Sequence, residues 1–152
     1  MIDPHQRISE SFAKQGLMAH WGAELLAVAS GEVVFRLPLS ERVTQQQGSM
    51  HGGAIASLAD IACGYAALTQ APVGMEVNSV EFKLNFVRAA RGLCIEAVGK
   101  VIKAGRTLAV CQADVFDLNG DTRQLCAVMQ ATMIYIPFSN HPNHSNDSKE
   151  QP

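Results

Sequence analysis

Met50-His51-Gly52-Gly53-Ala54-Ile55-Ala56-Ser57-Leu58-Ala59-Asp60-Ile61-Ala62-Cys63-Gly64-Tyr65-Ala66-Ala67-Leu68 is the stretch on which the fold turns. Ala, Leu and Ile favour helix, and Pro72 stops the run. Ile55, Leu58, Ile61, Ala62, Tyr65 and Leu68 fall on every side, which predicts a helix buried all round. From His51 to Gln70 the one formal charge is Asp60. A carboxylate halfway along a buried helix is costly unless something satisfies or uses it. The rest of the chain must wrap this helix, and Asp60 is the residue to explain.

Working outward, the flanks supply the wrapping. Upstream, Asp3-Pro4 reads as an N-cap with proline at the first helical position, and Gly16 as the matching C-cap. Ile8 and Phe12 give that helix a narrow apolar stripe. Trp21 to Ala29 and then Val33, Phe35 and Leu37 read as a hairpin around Ser30-Gly31. Ser40 to Ser49 is a polar loop leading into the central helix. Downstream, the period becomes two: Val80, Phe82, Leu84 and Phe86 share one face, and Ser79, Glu81, Lys83 and Asn85 the other. Further strands run from Leu93 to Lys103, Thr107 to Asp117 and Thr122 to Pro137, with Asn119-Gly120 as a hairpin turn. From Phe138 the composition is too polar to order itself. The expected division is a helical segment over 1–18, one domain over 19–137 and a disordered tail over 138–152. The expected class is α+β, a single antiparallel sheet curled around a long central helix. Such a sheet leaves edges and an open face, which predicts self-association.

Composition narrows the function. The chain has 152 residues and a net charge of −2, which argues against a protein built to coat nucleic acid. Cys63, Cys94, Cys111 and Cys126 are widely spaced. They read as reduced core thiols of a cytoplasmic protein, with no disulfide frame and no metal site. No secretory signal is visible. The central helix, with its glycines and Asp60, makes a poor membrane span.

His51-Gly52-Gly53, Leu58-Ala59-Asp60 and Ser79-Val80-Glu81-Phe82-Lys83-Leu84-Asn85-Phe86-Val87-Arg88, followed by Gly105-Arg106-Thr107-Leu108-Ala109, together resemble the hotdog-fold acyl-CoA thioesterases of the phenylacetic-acid-degradation (PaaI-like) type. The resemblance spans roughly Ala19 to Ile136. It implies a hotdog fold and hydrolysis of acyl-CoA to free acid and CoA, with no cofactor besides the CoA of the substrate. It also implies a site shared between subunits, with the aspartate and the glycine amide coming from different chains. Carried over position by position, Gly52 resembles the amide that polarises the thioester carbonyl, and Asp60 the catalytic carboxylate. His51 resembles the histidine beside the oxyanion hole. Ser79 takes the place of a residue that positions water. Gln45 stands where the family usually has asparagine, and Ala89 where it often has proline.

The residues make the same chemistry legible from below. Amides at a helix start are free donors with the positive end of the dipole behind them. Gly52 and Gly53 leave that end uncrowded for an acyl oxygen, an oxyanion-hole device. Asp60 can serve as general base or nucleophile. Gly52 and Asp60 are eight residues apart, so roughly 12 Å along the axis, too far to hold one thioester carbon between them. Two copies with antiparallel helices would bring Asp60 of one to the helix start of the other. The expected assembly is a homodimer, with a dimer of dimers beyond it. Tyr65 reads as core or as a wall of the acyl pocket. For the phosphates of CoA, the basic residues between Lys83 and Arg106 offer a rim, with Arg88, Lys103 and Arg106 as candidates. Cys63, one turn from Asp60, has no base within helical reach and reads as packing. Two other functions stay open: a non-catalytic acyl-CoA binding or sensing module, and a hydroxyacyl-thioester dehydratase using His51.

Overall fold

The computed structural model describes residues 3–138. The elements run α1 (Pro4–Phe12), α2 (Gly16–Trp21), β1 (Glu24–Ala29), β2 (Glu32–Pro38), α3 (Gly52–Leu68), β3 (Met75–Phe86), β4 (Cys94–Ala104), β5 (Leu108–Asn119) and β6 (Thr122–Pro137). Apart from Phe138, the tail expected over 138–152 lies outside the described residues. The six strands form one antiparallel sheet in the order β1-β2-β4-β5-β6-β3. α3 lies across one face and touches β2 through β6. This is the expected hotdog layout.

The alternation of the strands explains the core. Val33, Phe35 and Leu37 of β2, Ile95 and Ala97 of β4, and Ala109, Cys111, Ala113 and Val115 of β5 are buried under α3. Ala127, Met129, Ala131 and Met133 of β6 continue that face. From above, α3 answers with Leu58, Ala59, Ala62, Cys63 and Ala66. A fully buried leucine-sized side chain contributes about 1.5–3 kcal/mol. The many alanines let helix and sheet approach closely, and Gly99 on β4 marks the tightest point. A Cβ there would lie 2.1 Å from the carbonyl oxygen of Ala62, so a side chain at 99 has no room. Asn119-Gly120 turns β5 into β6 as expected, with Gly120 at φ 59°.

Three expectations are corrected. First, Gly16 does not cap α1. The helix ends at Ala13, Gln15 takes an extended conformation, and Gly16 opens α2. The break lets Ile8 and Met18 both reach the core, where each is buried. The Asp3 cap holds: its carboxylate accepts the His5 N–H at 3.1 Å. Second, α3 is not buried all round. Gly53, Ser57, Asp60, Ile61 and Gly64 form a stripe that this chain only partly covers. Third, Ser79 does not share the face of Glu81. The register of β3 against β6 slips between them, Ser79 opposite Met133 and Glu81 opposite Thr132. This bulge turns Ser79 to the helix side, with Phe82 and Leu84, which pair with the buried Ala131 and Met129.

β3 is an edge strand. Val80 is 54%, Phe82 44% and Phe86 56% exposed. The apolar face read from the sequence is therefore present but not covered within one chain.

Candidate active site

The N-terminal end of α3 is built by His51. Its backbone is extended, and its Nδ1 accepts the Gly53 N–H at 2.8 Å. Its carbonyl takes the N–H groups of Ala54 and Ile55. An Nδ1 that accepts leaves the proton of the neutral ring on Nε2. His51 therefore works here as a helix cap. The Gly52 N–H donates to no acceptor among the described residues. It is the bare donor that the sequence predicted, at the positive end of a helix of 17 residues.

Gly52 opens on a cavity of about 440 Å³ lined also by Gln45, Ser49, Phe86 and Arg88. A Cβ on Gly52 would meet the Phe86 ring at 3.0 Å, so glycine leaves room for the ring beside the amide. Gln45 is held across its own loop, its Nε2 donating to the Ser49 hydroxyl and its N–H to the Ser49 carbonyl. The structure thus brings Gln45, Gly52 and Arg88 together, with His51 and Gly53 beside them.

Asp60 belongs to a different cavity, of about 290 Å³. The Ser79 hydroxyl donates to Asp60 Oδ1 at 2.6 Å, which orients the carboxylate. Neither ion pair among the described residues involves Asp60, so no cation neutralises it. The cavity continues past Gly64 to Tyr65 and Leu68. Tyr65 is buried, packs against Phe12 and Phe35, and turns its hydroxyl to Ser11 and Gln15. Ser11 and Gln15 line this cavity and were not singled out in the sequence. Ser11 lies in the last turn of α1 and Gln15 in the extended residue before α2, so no single-helix spacing pointed to them.

The basic candidates separate. Arg88 follows β3 and lies at the Gly52 cavity. Lys103 and Arg106 lie at the β4–β5 turn, where Ala104 pairs with Ala109, Ala109 with Met133 and Met133 with Ser79. That is the Asp60 end of the sheet. Within one chain the three do not converge.

Cys63 is fully buried, and burial pushes its thiol far above the usual range, with Cys111 and Asp60 adding to the effect. A thiol held neutral is no nucleophile. Among the described residues no three His, Cys, Asp or Glu side chains gather to hold a metal ion. No helix among them is long and apolar enough to cross a membrane.

The pattern of the thioesterase superfamily matches residues 47–124. A thioesterase family protein from Silicibacter pomeroyi superposes with a TM-score of 0.87 at 34% identity, over 90% of this chain and all of that one (100%). A Saccharolobus solfataricus protein named "Putative esterase" is 31% identical over 79% of this chain and 86% of its own length. The 1,4-dihydroxy-2-naphthoyl-CoA hydrolase of Listeria monocytogenes is 25% identical over 78% of this chain and 94% of its own. The chain belongs to the thioesterase superfamily.

Proposed function

We propose that the protein is an acyl-CoA thioesterase, acting on aryl or medium-chain acyl groups, whose site is completed by a second copy of the chain. The observation that carries this reading is the separation of the two chemical groups. One chain holds a bare amide at Gly52 in one cavity and an oriented, unpaired carboxylate at Asp60 in another. The relative from Listeria monocytogenes, named as a hydrolase of an aryl-CoA, supports the substrate class.

The uncovered surfaces favour a particular pairing. β3 offers a free edge, and Val80, Phe82 and Phe86 are exposed beside the open stripe of α3. Two such edges related by a two-fold axis run antiparallel. With the axis at Lys83, Phe82 of one copy lies opposite Leu84 of the other on the helix side, and the bulge in β3 brings Ser79 opposite the other copy's Phe86. Asp60 then faces the partner's Gly52 end, twice per dimer. The same rotation brings the Arg88 end of one chain to the Lys103 and Arg106 end of the other, where the CoA phosphates would sit. A dimer of dimers follows by stacking such units.

In this arrangement the thioester carbonyl points at the partner's Gly52 N–H, which stabilises the oxyanion. Asp60, oriented by Ser79, either draws a proton from an attacking water or attacks the carbonyl itself. On the water route, collapse expels the CoA thiolate, which takes up the proton, and leaves the free acid. On the direct route, the departing thiolate leaves an aspartyl anhydride. Water hydrolyses it to the free acid, returning the carboxylate and giving the thiolate its proton. His51 caps the helix that presents the amide, and Gln45 holds the adjoining loop. The engagement of His51 Nδ1 by Gly53 weighs against the dehydratase reading, which needs that ring to move protons.

The test is a thiol-release assay over a panel of acyl-CoAs, run on the wild type and on Asp60→Asn together. The expected result is turnover by the wild type and a fall of about 10²–10⁴-fold in kcat for the folded variant. Binding of acyl-CoA with no thiol released by the wild type would instead establish a sensing module. Water loss from a hydroxyacyl thioester without thiol release would establish a dehydratase.

A further inference from the structure

The helical segment ahead of β1 lies outside the part of the chain that matches the family pattern, yet it is fastened to the Asp60 cavity. The Arg7 guanidinium donates to the Ala71 carbonyl at 3.2 Å and also to that of Met75, at the turn from α3 into β3. Ile8 is buried, and Phe12 packs on Phe35 and Tyr65. This places Ser11 and Gln15 against the far end of the cavity. Gln15 Nε2 donates to the Tyr65 hydroxyl oxygen at 3.1 Å, and Ser11 Oγ lies 3.3 Å from the same oxygen.

We propose that this segment sets the acyl specificity, with Ser11, Gln15 and Tyr65 forming a polar floor that receives a neutral hydroxyl at the far end of the acyl group. The inference rests on the thioesterase reading and extends it to a substrate class. Past Asp60 the cavity runs along α3 through Gly64 and Tyr65, away from its own Gly52. An acyl chain whose carbonyl sits at Asp60 therefore points its end at the Tyr65 hydroxyl. The Gln15 side-chain carbonyl accepts no hydrogen bond among the described residues. The floor thus has both an acceptor and a hydroxyl to offer.

The alternatives fit less well. A methyl end would expel water from the Gln15 side-chain carbonyl and leave it unpaired, which costs free energy. A carboxylate end would enter a cavity lined by Asp60 and Glu76 and by no lysine or arginine. The part of the space that one chain provides measures about 290 Å³. An acyl group of six carbons ending in a hydroxyl serves as the probe.

The experiment compares kcat/KM for three acyl groups of equal length: 6-hydroxyhexanoyl-CoA, heptanoyl-CoA and adipoyl-CoA. The wild type is expected to favour the hydroxyl-ended substrate over each of the others by about tenfold or more. Gln15→Leu is expected to shrink the hydroxyl-to-methyl ratio about tenfold, mostly through KM. Ser11→Ala, a smaller change that guards against misfolding, shifts the ratio the same way by less. A wild-type ratio of one or below overturns the inference. So does a parallel loss on hydroxyl-ended and methyl-ended substrates in Gln15→Leu, the mark of a merely structural role. Hydrolysis without preference overturns this inference alone. Thiol release from none of the three overturns this inference, and thiol release from no member of the wider acyl-CoA panel overturns the thioesterase reading with it.

Discussion

At its first turn α3 offers a bare donor and no acid; two turns later it offers an acid and no bare donor. The Gly52 end is made by backbone, with His51 folding back as a cap and Phe86 set against the glycine. The Asp60 end is made by side chains, with Ser79 turned in by a bulge and Tyr65 held by the N-terminal helices. On the proposed reading, each end has half of what thioester hydrolysis needs. The exposed stripe of α3 and the free edge of β3 then belong to the same problem: both face the place where a second copy would supply the other half.

The strongest way to break this comparison is to disable each end in a separate chain. Gly52→Pro removes the N–H at a position suited to proline, after the extended backbone of His51. Gly52→Ala, which sets the same Cβ against Phe86 but keeps the N–H, controls for crowding. The proline variant is expected to cost about 10²–10³-fold in kcat beyond the alanine variant. Asp60→Asn disables the other end. Denatured together and refolded, the proline and asparagine variants are expected to recover about a quarter of wild-type turnover, because about half of all dimers are mixed and each mixed dimer carries one intact site of two. No recovery, with dimers forming, would put both groups in one chain's site and end the shared-site reading.

A smaller effect sharpens the Asp60 side alone. Ser79→Ala removes one hydrogen bond to a carboxylate and is expected to lower kcat roughly tenfold, with dimerisation unchanged. An unchanged rate would mean that the serine does not orient the acid. The smallest effect concerns the thiols. Burial holds Cys63 far above the usual range and pushes Cys111 and Cys126 to about 11. Iodoacetamide at pH 8 is therefore expected to leave activity intact. The sign for stability follows: the folded state favours the neutral thiols, so their contribution is whole below the ordinary thiol value of 9.0 and falls as pH rises through about 11. A melting temperature that stays level from pH 8 to 11 would contradict this.

The sequence made the architecture legible because its signals were local. Pro38 and Pro72 bound elements, Asn119-Gly120 marks a turn, and the alternation of β2 shows directly in its burial. The residues of the Gly52 end were legible for the same reason, since a helix start is a local structure. The inward turn of Ser79 was not, because a bulge adds one residue to a period that the eye reads as unbroken. The uncovered stripe of α3 was missed because Gly53, Ala56, Ile61 and Gly64 look like core residues whether a sheet or a second chain lies above them. Ser11 and Gln15 were missed because their partner, Tyr65, is fifty residues or more away along the chain.

Gly99 carries none of the chemistry, yet it fixes the height of the acid. β4 passes so close beneath Ala62, two residues from Asp60, that even one methyl would have to lift the middle of the helix off its seat. The carboxylate would rise with it and leave the hydroxyl that steadies it. Aim at this site thus depends on a spacer one atom thick, and a change at a residue that never meets substrate would spoil it.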